Sequence, residues 1–237
     1  MKRVGIIAAW EPEMLGVRRR LPSVEHIAIG GWAFDLHRLG NMEIVSVVSG
    51  VGKVLCASCT QLLISRFSLD EMYMTGICGG LRDEWAGIEI AVFERALQHD
   101  VESPGIHGDP FNLYKGRSSF YESDPGLLDR FRDFSATMIR TRLGLVVSGD
   151  QRIRNAKRRD FLRQEFGAIA VDQEFAAFAH VCTLNRVPFM GLKAVSDCAD
   201  EHTEQYQKLH KLKACDVASN TLIDFLDAIQ RGEGGDC

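Results

Sequence analysis

Short apolar runs rich in Val, Ile and Ala recur along the chain at residues 4–9, 44–48, 72–75, 88–93, 145–148, 168–171 and 188–195. Continuous apolar runs of this length predict strands buried on both faces, the usual condition of a parallel sheet. Between them, apolar residues at helical spacing predict helices over residues 13–21, 53–66, 126–140, 157–166, 174–185 and 209–230. Strands alternating with helices make an α/β fold. Two further extended runs, 24–29 and 32–39, flank Gly30-Gly31, and a glycine pair there supplies the positive φ of a tight hairpin turn. The expected fold is therefore a twisted mixed β-sheet flanked by helices on both faces. No linker rich in Pro, Gly or Ser divides residues 1–237, so a single domain is expected, and no internal repeat is visible. Residues 99–122, with Pro104, Gly105, Gly108, Pro110, Asn112 and Gly116, exceed a plain connector and predict a functional loop or partner contact.

Composition narrows the class of partner. The chain carries 28 Lys and Arg against 32 Asp and Glu, with no strongly cationic stretch, so it lacks the electrostatic footprint of a nucleic-acid binder. A small-molecule partner is expected. The apolar part of residues 1–9 is too short for a signal peptide, and no run approaches the roughly 18 to 20 apolar residues that span a bilayer. The expectation is a soluble, cytoplasmic protein with no membrane partner. Seven scattered cysteines, an odd number in a chain of this size, suit a reducing compartment and predict no structural disulfide.

In α/β sheets ligands bind beyond the carboxyl ends of the strands, so the residues that follow the apolar runs come first. They are Glu11 and Glu13, Ser49-Gly50-Val51-Gly52-Lys53, Gly76-Ile77-Cys78-Gly79-Gly80, Ser148-Gly149-Asp150, Asp172-Gln173-Glu174 and Ser196-Asp197. Gly50-Val51-Gly52-Lys53 is not a phosphate loop, because that motif needs a glycine where Val47 stands and Ser or Thr where Val54 stands. What remains there and at residues 76–80 is a pair of glycine turns, read either as close backbone packing or as bare backbone for a ligand. Cys56-Ala57-Ser58-Cys59 has redox spacing but falls inside an apolar helix, where a core role is expected. The seven histidines show no metal-ligand spacing, and the serine elbow of hydrolases is absent, so no metal and no acyl-serine chemistry are expected. The remaining chemical resource is three carboxylates at strand ends: Glu13, Glu174 and Asp197. Singly, each reads as a helix cap or a solvated charge; together they could supply a base for water, an acid for a leaving group and an anchor for sugar hydroxyls.

These blocks, in order, resemble a known family. Val4-Gly5-Ile6-Ile7-Ala8-Ala9-Trp10-Glu11-Pro12-Glu13, Ser49-Gly50-Val51-Gly52-Lys53-Val54, Thr75-Gly76-Ile77-Cys78-Gly79-Gly80-Leu81, Val147-Ser148-Gly149-Asp150, Val171-Asp172-Gln173-Glu174 and Ala194-Val195-Ser196-Asp197 are similar to motifs of the 5'-methylthioadenosine/S-adenosylhomocysteine nucleosidases, within the purine nucleoside phosphorylase superfamily. The resemblance runs through nearly the whole chain. It implies a homodimer without cofactor that hydrolyses the N-glycosidic bond of adenine nucleosides. By resemblance, Glu13 would activate water, Asp197 would protonate N7 of the departing purine, and Glu174 would hold the ribose 2'-hydroxyl. Asp197 would then have to keep its proton near neutrality, which calls for a desolvated site. Trp10, Val51, Ile77, Cys78 and Gly79 would contact substrate, as would Arg152, Ile153, Asp172, Gln173 and Ser196.

Phosphorylases of the superfamily hold a phosphate dianion with arginines, and Met74-Thr75-Gly76-Ile77 offers none, so a nucleosidase is favoured. Four positions depart from the nucleosidase pattern: Arg152 stands for an aromatic, Gln173 for methionine, Asp172 for glutamate and Ile77 for serine. Residues 100–116 and 201–210, which by resemblance line the 5' end of the substrate, also match poorly, so the 5' substituent is not read. Three alternatives stay open: a specialised nucleosidase for a modified nucleoside such as futalosine, a purine nucleoside phosphorylase, and a non-catalytic nucleoside-binding protein. Residues 104–111 are the candidate for reaching a neighbour's pocket, and residues 231–237 have the composition of a frayed tail.

Overall fold

The computed structural model describes residues 1–83, 85, 87–101, 120–135 and 140–233. In chain order the elements are β1 (Lys2–Ala8), α1 (Glu11–Arg20), β2 (Ser23–Ile29), β3 (Trp32–Leu39), β4 (Met42–Val48), α2 (Lys53–Phe67), β5 (Glu71–Gly80) and β6 (Ile90–Gln98). They continue with β7 (Tyr121–Glu122), α3 (Pro125–Ser135), β8 (Thr141–Ser148), α4 (Ala156–Phe166), β9 (Ala170–Asp172), α5 (Phe175–Asn185), β10 (Phe189–Asp197) and α6 (Thr203–Glu233). The alternation gives the α/β fold read from the apolar pattern. Beyond Ser135 the expected helix 126–140 runs into residues outside the described set, as does the loop candidate 104–111, while α6 begins earlier than the spacing predicts, at Thr203.

Local chemistry sets several boundaries. Helix α1 opens with Pro12 and two acids, Glu11 and Glu13, and closes with Arg18, Arg19 and Arg20, each charge complementing its end of the helix dipole. Asn155 caps α4 by accepting from the Arg158 N–H at 3.2 Å, and Gly167 ends that helix in the left-handed region. Gly30 and Gly31 have φ of +60° and +89°, the turn that joins β2 to β3 with Ile29 paired to Trp32.

The strands form one mixed sheet in the order β10-β6-β8-β9-β5-β1-β4-β3-β2. Strand β1 lies parallel to β4 and β5, while β2, β3 and β4 form an antiparallel meander. Strand β10 pairs with β5 as well as with β6, so strands β5, β10, β6, β8 and β9 close on themselves. Apolar runs carry no signal for such closure. One expectation is corrected here: residues 76–80 are not a turn after the third run but the continuation of β5, hydrogen-bonded to β10 and β9. Its glycines remove side chains from a strand crowded on both faces, which a strand-end turn would not require.

Two layers of helix bury the two faces. Helices α2 and α5 cover one through Leu63, Phe175 and Phe178, packed with Phe34, Phe93 and Phe189 of the sheet. Helices α1, α3 and α6 cover the other through Met14, Phe131 and Phe225, against Ile6 and Tyr73. Among the described residues no helix is long and apolar enough to cross a membrane.

Candidate active site

The carboxyl ends of β1, β5, β9 and β10, with the turns after β4 and β8, surround one cleft of about 290 Å³. Each residue to which the resemblance gives a catalytic or substrate contact stands on its wall, whereas Glu11, Gly50, Lys53 and Asp150, also singled out at strand ends, are not part of it. Trp10 and Glu13 come from the start of α1, Val51 from the turn after β4, and Ile77, Cys78 and Gly79 from β5. Arg152 and Ile153 follow β8, Asp172, Gln173 and Glu174 join β9 to α5, and Ser196 with Asp197 end β10.

The Glu13 carboxylate is held by three backbone N–H donors. Its Oε2 accepts from Ala9 at 3.0 Å and Trp10 at 2.9 Å, and its Oε1 accepts from Ile77 at 2.9 Å. Burial raises its pKa above the ordinary carboxylate value, and the Lys193 cation with these N–H donors pulls back only part of that rise. A carboxylate has about four lone-pair positions, so one remains for a molecule in the cleft. Gly76 makes the approach possible, since a Cβ there would lie 2.7 Å from Oε1 and 2.8 Å from Cδ. Gly76 also has a φ of +150°, so Gly76→Ala should both push the carboxylate off its donors, lowering kcat by about 10²-fold, and strain β5, lowering the melting temperature. Steady-state kinetics beside circular dichroism would check this, and an unchanged kcat would show that Glu13 need not stay where it is.

Glu174 occupies the N-cap of α5, whose start is fixed by the Phe175 ring packed 4.8 Å from Phe93. Its Oε1 accepts from the Gly52 N–H at 3.1 Å, so the glycine turn at residues 50–53 gives its backbone to a side chain of the protein. Its Oε2 accepts from Lys193 Nζ at 3.2 Å, and the same ammonium lies 2.7 Å from Asp172. Asp172 also accepts from the Ser148 hydroxyl and the Phe175 N–H. Lys193 is fully buried on β10. Burial works against its charge, but Asp172, Glu174 and Glu13 outweigh that and hold its pKa well above normal. Glu174 itself is shifted upward, by burial first, with Asp172 adding to the rise and Lys193 opposing it. At the other side of the cleft, Asp197 accepts from the Ser196 hydroxyl at 2.7 Å and the Ala199 N–H at 2.9 Å, which fixes its plane beside Gly79.

Sequence reasoning passed over two cations: Lys211, which lines the cleft, and Lys193, which is buried against the cleft residues Asp172 and Glu174. Lys193 had a signal, a lone lysine in the apolar run 188–195, since a charge there must find a partner. Lys211 had none: it is one of several lysines on α6, and only the packing of that helix lays its ammonium 3.8 Å from the centre of the Trp10 ring. The discarded motifs resolve structurally. Lys53 gives its ammonium to Asp100 at 2.6 Å and Gln98 at 3.2 Å. Cys56 and Cys59 are buried in α2, where burial pushes the Cys59 thiol up to about 12 and raises that of Cys56 as well.

Comparison with known proteins places this geometry. Residues 3–231 match the family described as the phosphorylase superfamily. A 5'-methylthioadenosine/S-adenosylhomocysteine nucleosidase of Geobacillus thermodenitrificans (strain NG80-2) is 31% identical over 231 residues, 96% of this chain and 98% of that one. The solved nucleosidase of the same name from Helicobacter pylori, with butyl-thio-DADMe-Immucillin-A, superposes with a TM-score of 0.88 at 27% identity, covering 96% of this chain and 99% of that one. A futalosine hydrolase mutant of Helicobacter pylori strain 26695 superposes with a TM-score of 0.88 at 26% identity, covering 96% and 100%. Likeness that extends over almost all of both sequences, in a fold whose strand ends carry the quoted blocks, means that this chain belongs to the phosphorylase superfamily and, within it, to the 5'-methylthioadenosine/S-adenosylhomocysteine nucleosidases.

Proposed function

We propose that the protein, as one domain, hydrolyses the N-glycosidic bond of adenine nucleosides of the methylthioadenosine/S-adenosylhomocysteine type, releasing adenine and a 5-substituted ribose. The observation that carries this reading is the Glu13 carboxylate, buried, immobilised by three N–H donors and open to the cleft. Such a group is built to take a proton from water at a fixed place. As the bond breaks, positive charge develops on the sugar, and Glu13 and Glu174 lie where that charge would be stabilised. Glu174 takes the 2'-hydroxyl, and Lys193 keeps it oriented. Asp197 gives its proton to N7, because a purine leaves poorly as an anion. The carboxylates of Glu13, Asp172 and Glu174 gathered near one ammonium favour water over a phosphate dianion as nucleophile.

The equal likeness to futalosine hydrolase favours a second reading, in which the 5' group is larger. Adenine release from methylthioadenosine, S-adenosylhomocysteine and adenosine, and hypoxanthine release from futalosine, each measured with and without phosphate, separate the cases. Adenine appearing without phosphate supports the first reading. Hypoxanthine from futalosine alone supports the second, a strict phosphate requirement makes the protein a phosphorylase, and binding without turnover makes it a nucleoside-binding protein.

The working form in this proposal is a cytoplasmic homodimer. Val51, Val54 and Leu55 at the start of α2 are 52%, 76% and 46% exposed, an apolar group suited to a second copy. Cys56, Cys59, Cys78, Cys182, Cys198 and Cys215 are free thiols, which suits a reducing compartment.

A further inference from the structure

Helix α2 begins without a side-chain cap of its own: its N-cap is Gly52, and no acid stands in its first turn. The first backbone N–H groups of a helix need acceptors from outside it. Two carboxylates from distant parts of the chain meet this need. Glu174 accepts from the Gly52 N–H at 3.1 Å, and Asp150, in the turn after β8, accepts from the next N–H, that of Lys53, at 2.8 Å. Asp150 is itself tied down, since its own N–H donates to Asp100 Oδ2 at 2.8 Å. Asp100, just beyond β6, takes the Lys53 ammonium on its other oxygen at 2.6 Å. Lys53 is thus held at both ends, its backbone by one aspartate and its side chain by the other, and the two aspartates are joined.

This ring of bonds acts on the cleft through a backbone that cannot hold itself. Gly52 has a φ of +100°, and a glycine has no side chain to restrict its torsion angles, so the direction of its N–H must be set from outside. The bond from Asp150 to the following residue sets it, with Asp150 Oδ1 only 3.2 Å from where a Gly52 Cβ would stand. Burial works to raise the pKa of Asp100, but the Lys53 ammonium and the Asp150 N–H outweigh it and hold that carboxyl below its ordinary value. Negative charge at the start of α2 is further favoured by the helix dipole.

We propose that Asp150 is a positioning residue for recognition of the ribose 2'-hydroxyl: by capping α2 it aims the Gly52 N–H at Glu174 and so fixes the carboxylate that takes this hydroxyl. This inference rests on the nucleosidase reading above, in which Glu174 holds the 2'-hydroxyl. Asp150 acts from outside the cleft wall. Glu174 keeps Lys193 on Oε2 whatever happens at Gly52, so loss of the cap frees one oxygen and leaves the buried ion pair in place.

The test uses 5'-methylthioadenosine and its 2'-deoxy analogue as paired substrates for wild type, Asp150→Ala and Asp150→Asn. Alanine removes the acceptor, so kcat/KM for methylthioadenosine should fall about tenfold, while that for the 2'-deoxy analogue, which offers Glu174 no hydroxyl, stays within about twofold. Asparagine keeps an oxygen for the Lys53 N–H and should restore the methylthioadenosine value to within about threefold of wild type. A loss shared equally by both substrates means that Asp150 only supports the fold, and no loss with either means that Gly52 is held without it. Each result overturns the proposal, as does an asparagine variant no better than alanine. Failure of the nucleosidase reading shows separately, because wild type would then cleave neither compound. Calorimetric binding of the same pair decides in that case. A preference for the 2'-hydroxyl that disappears in Asp150→Ala upholds the positioning role, a preference that survives, or none in wild type, overturns it, and binding of neither compound overturns both readings.

Discussion

Asp197→Asn should slow adenine release by about 10³-fold, within the range that positioned proton transfer contributes, while the intact nucleoside still binds. The asparagine keeps the shape of the side chain and can still accept from the Ala199 N–H, so the end of β10 should hold its geometry. What it loses is the proton for the purine, and an unprotonated purine is a poor leaving group. Glu13→Gln should cost a similar factor by a less simple route, because its amide NH₂ would confront backbone N–H groups that now donate to a carboxylate. The pH profile gives an independent check on Glu13. Burial raises its pKa from the ordinary value of 4.5, and a general base works only when ionised. The acid limb of kcat/KM should thus lie above 4.5, with activity lost as the pH drops through it. An acid limb at or below the ordinary carboxylate value would remove Glu13 from the role of base, and a fully active Asp197→Asn would remove Asp197 from that of acid.

Lys193→Met should destabilise the fold by about 3 to 5 kcal/mol, the usual cost of deleting one partner of a buried ion pair. For a chain of this length that corresponds to a fall in Tm on the order of 10 °C. The ammonium is fully buried, 2.7 Å from Asp172 and 3.2 Å from Glu174. Methionine fills much the same volume but leaves two buried carboxylates without their cation. The pH dependence of the deficit follows. Without Lys193 the folded-state pKa of Glu174, already raised by burial, loses the cation that holds it down and rises further, so the destabilisation grows as pH rises above the unfolded value and shrinks as pH falls and Glu174 takes up a proton. In the wild type, Lys193 has its folded pKa raised, so its contribution is fully present below the ordinary lysine value and is lost only as pH passes the higher folded value. Thermal unfolding of both proteins at pH 5 and pH 8 measures this, and a deficit below about 1 kcal/mol at pH 8 would mean the cluster is not held as an ionised group.

The two experiments separate two demands on one small group of charges. Asp197 is fixed by local contacts, the neighbouring Ser196 hydroxyl and the Ala199 N–H two residues on. Glu174 depends on long-range ones: the Gly52 N–H and a lysine on another strand. A chemical defect with an intact fold is expected at the first. Chemistry and stability should fail together at the second.

The apolar runs determined where the strands lie, because a strand covered on both faces must be continuously apolar. They also fixed the α/β alternation, and the glycine pair at residues 30–31 fixed the hairpin. The carboxylates Glu13, Glu174 and Asp197 were legible because strand ends are where an α/β sheet presents its side chains to a ligand. Local pattern did not decide that β10 would pair with β5 and β6 at once and close the sheet, since backbone pairing partners leave no mark on an apolar run. Nor did it decide that the glycines of residues 76–80 belong inside a strand, where Gly76 admits Glu13 against the backbone. Lys193 supports the cleft residues Asp172 and Glu174 from within, and Lys211 lines the cleft against Trp10, each through contacts between separate elements. The sequence by itself thus determined the elements and the acids at their ends, which depend on neighbours one or two turns away. Only the tertiary structure decided which cations those acids and the ligand would meet, because a charge is placed by packing between elements and not by the residues beside it.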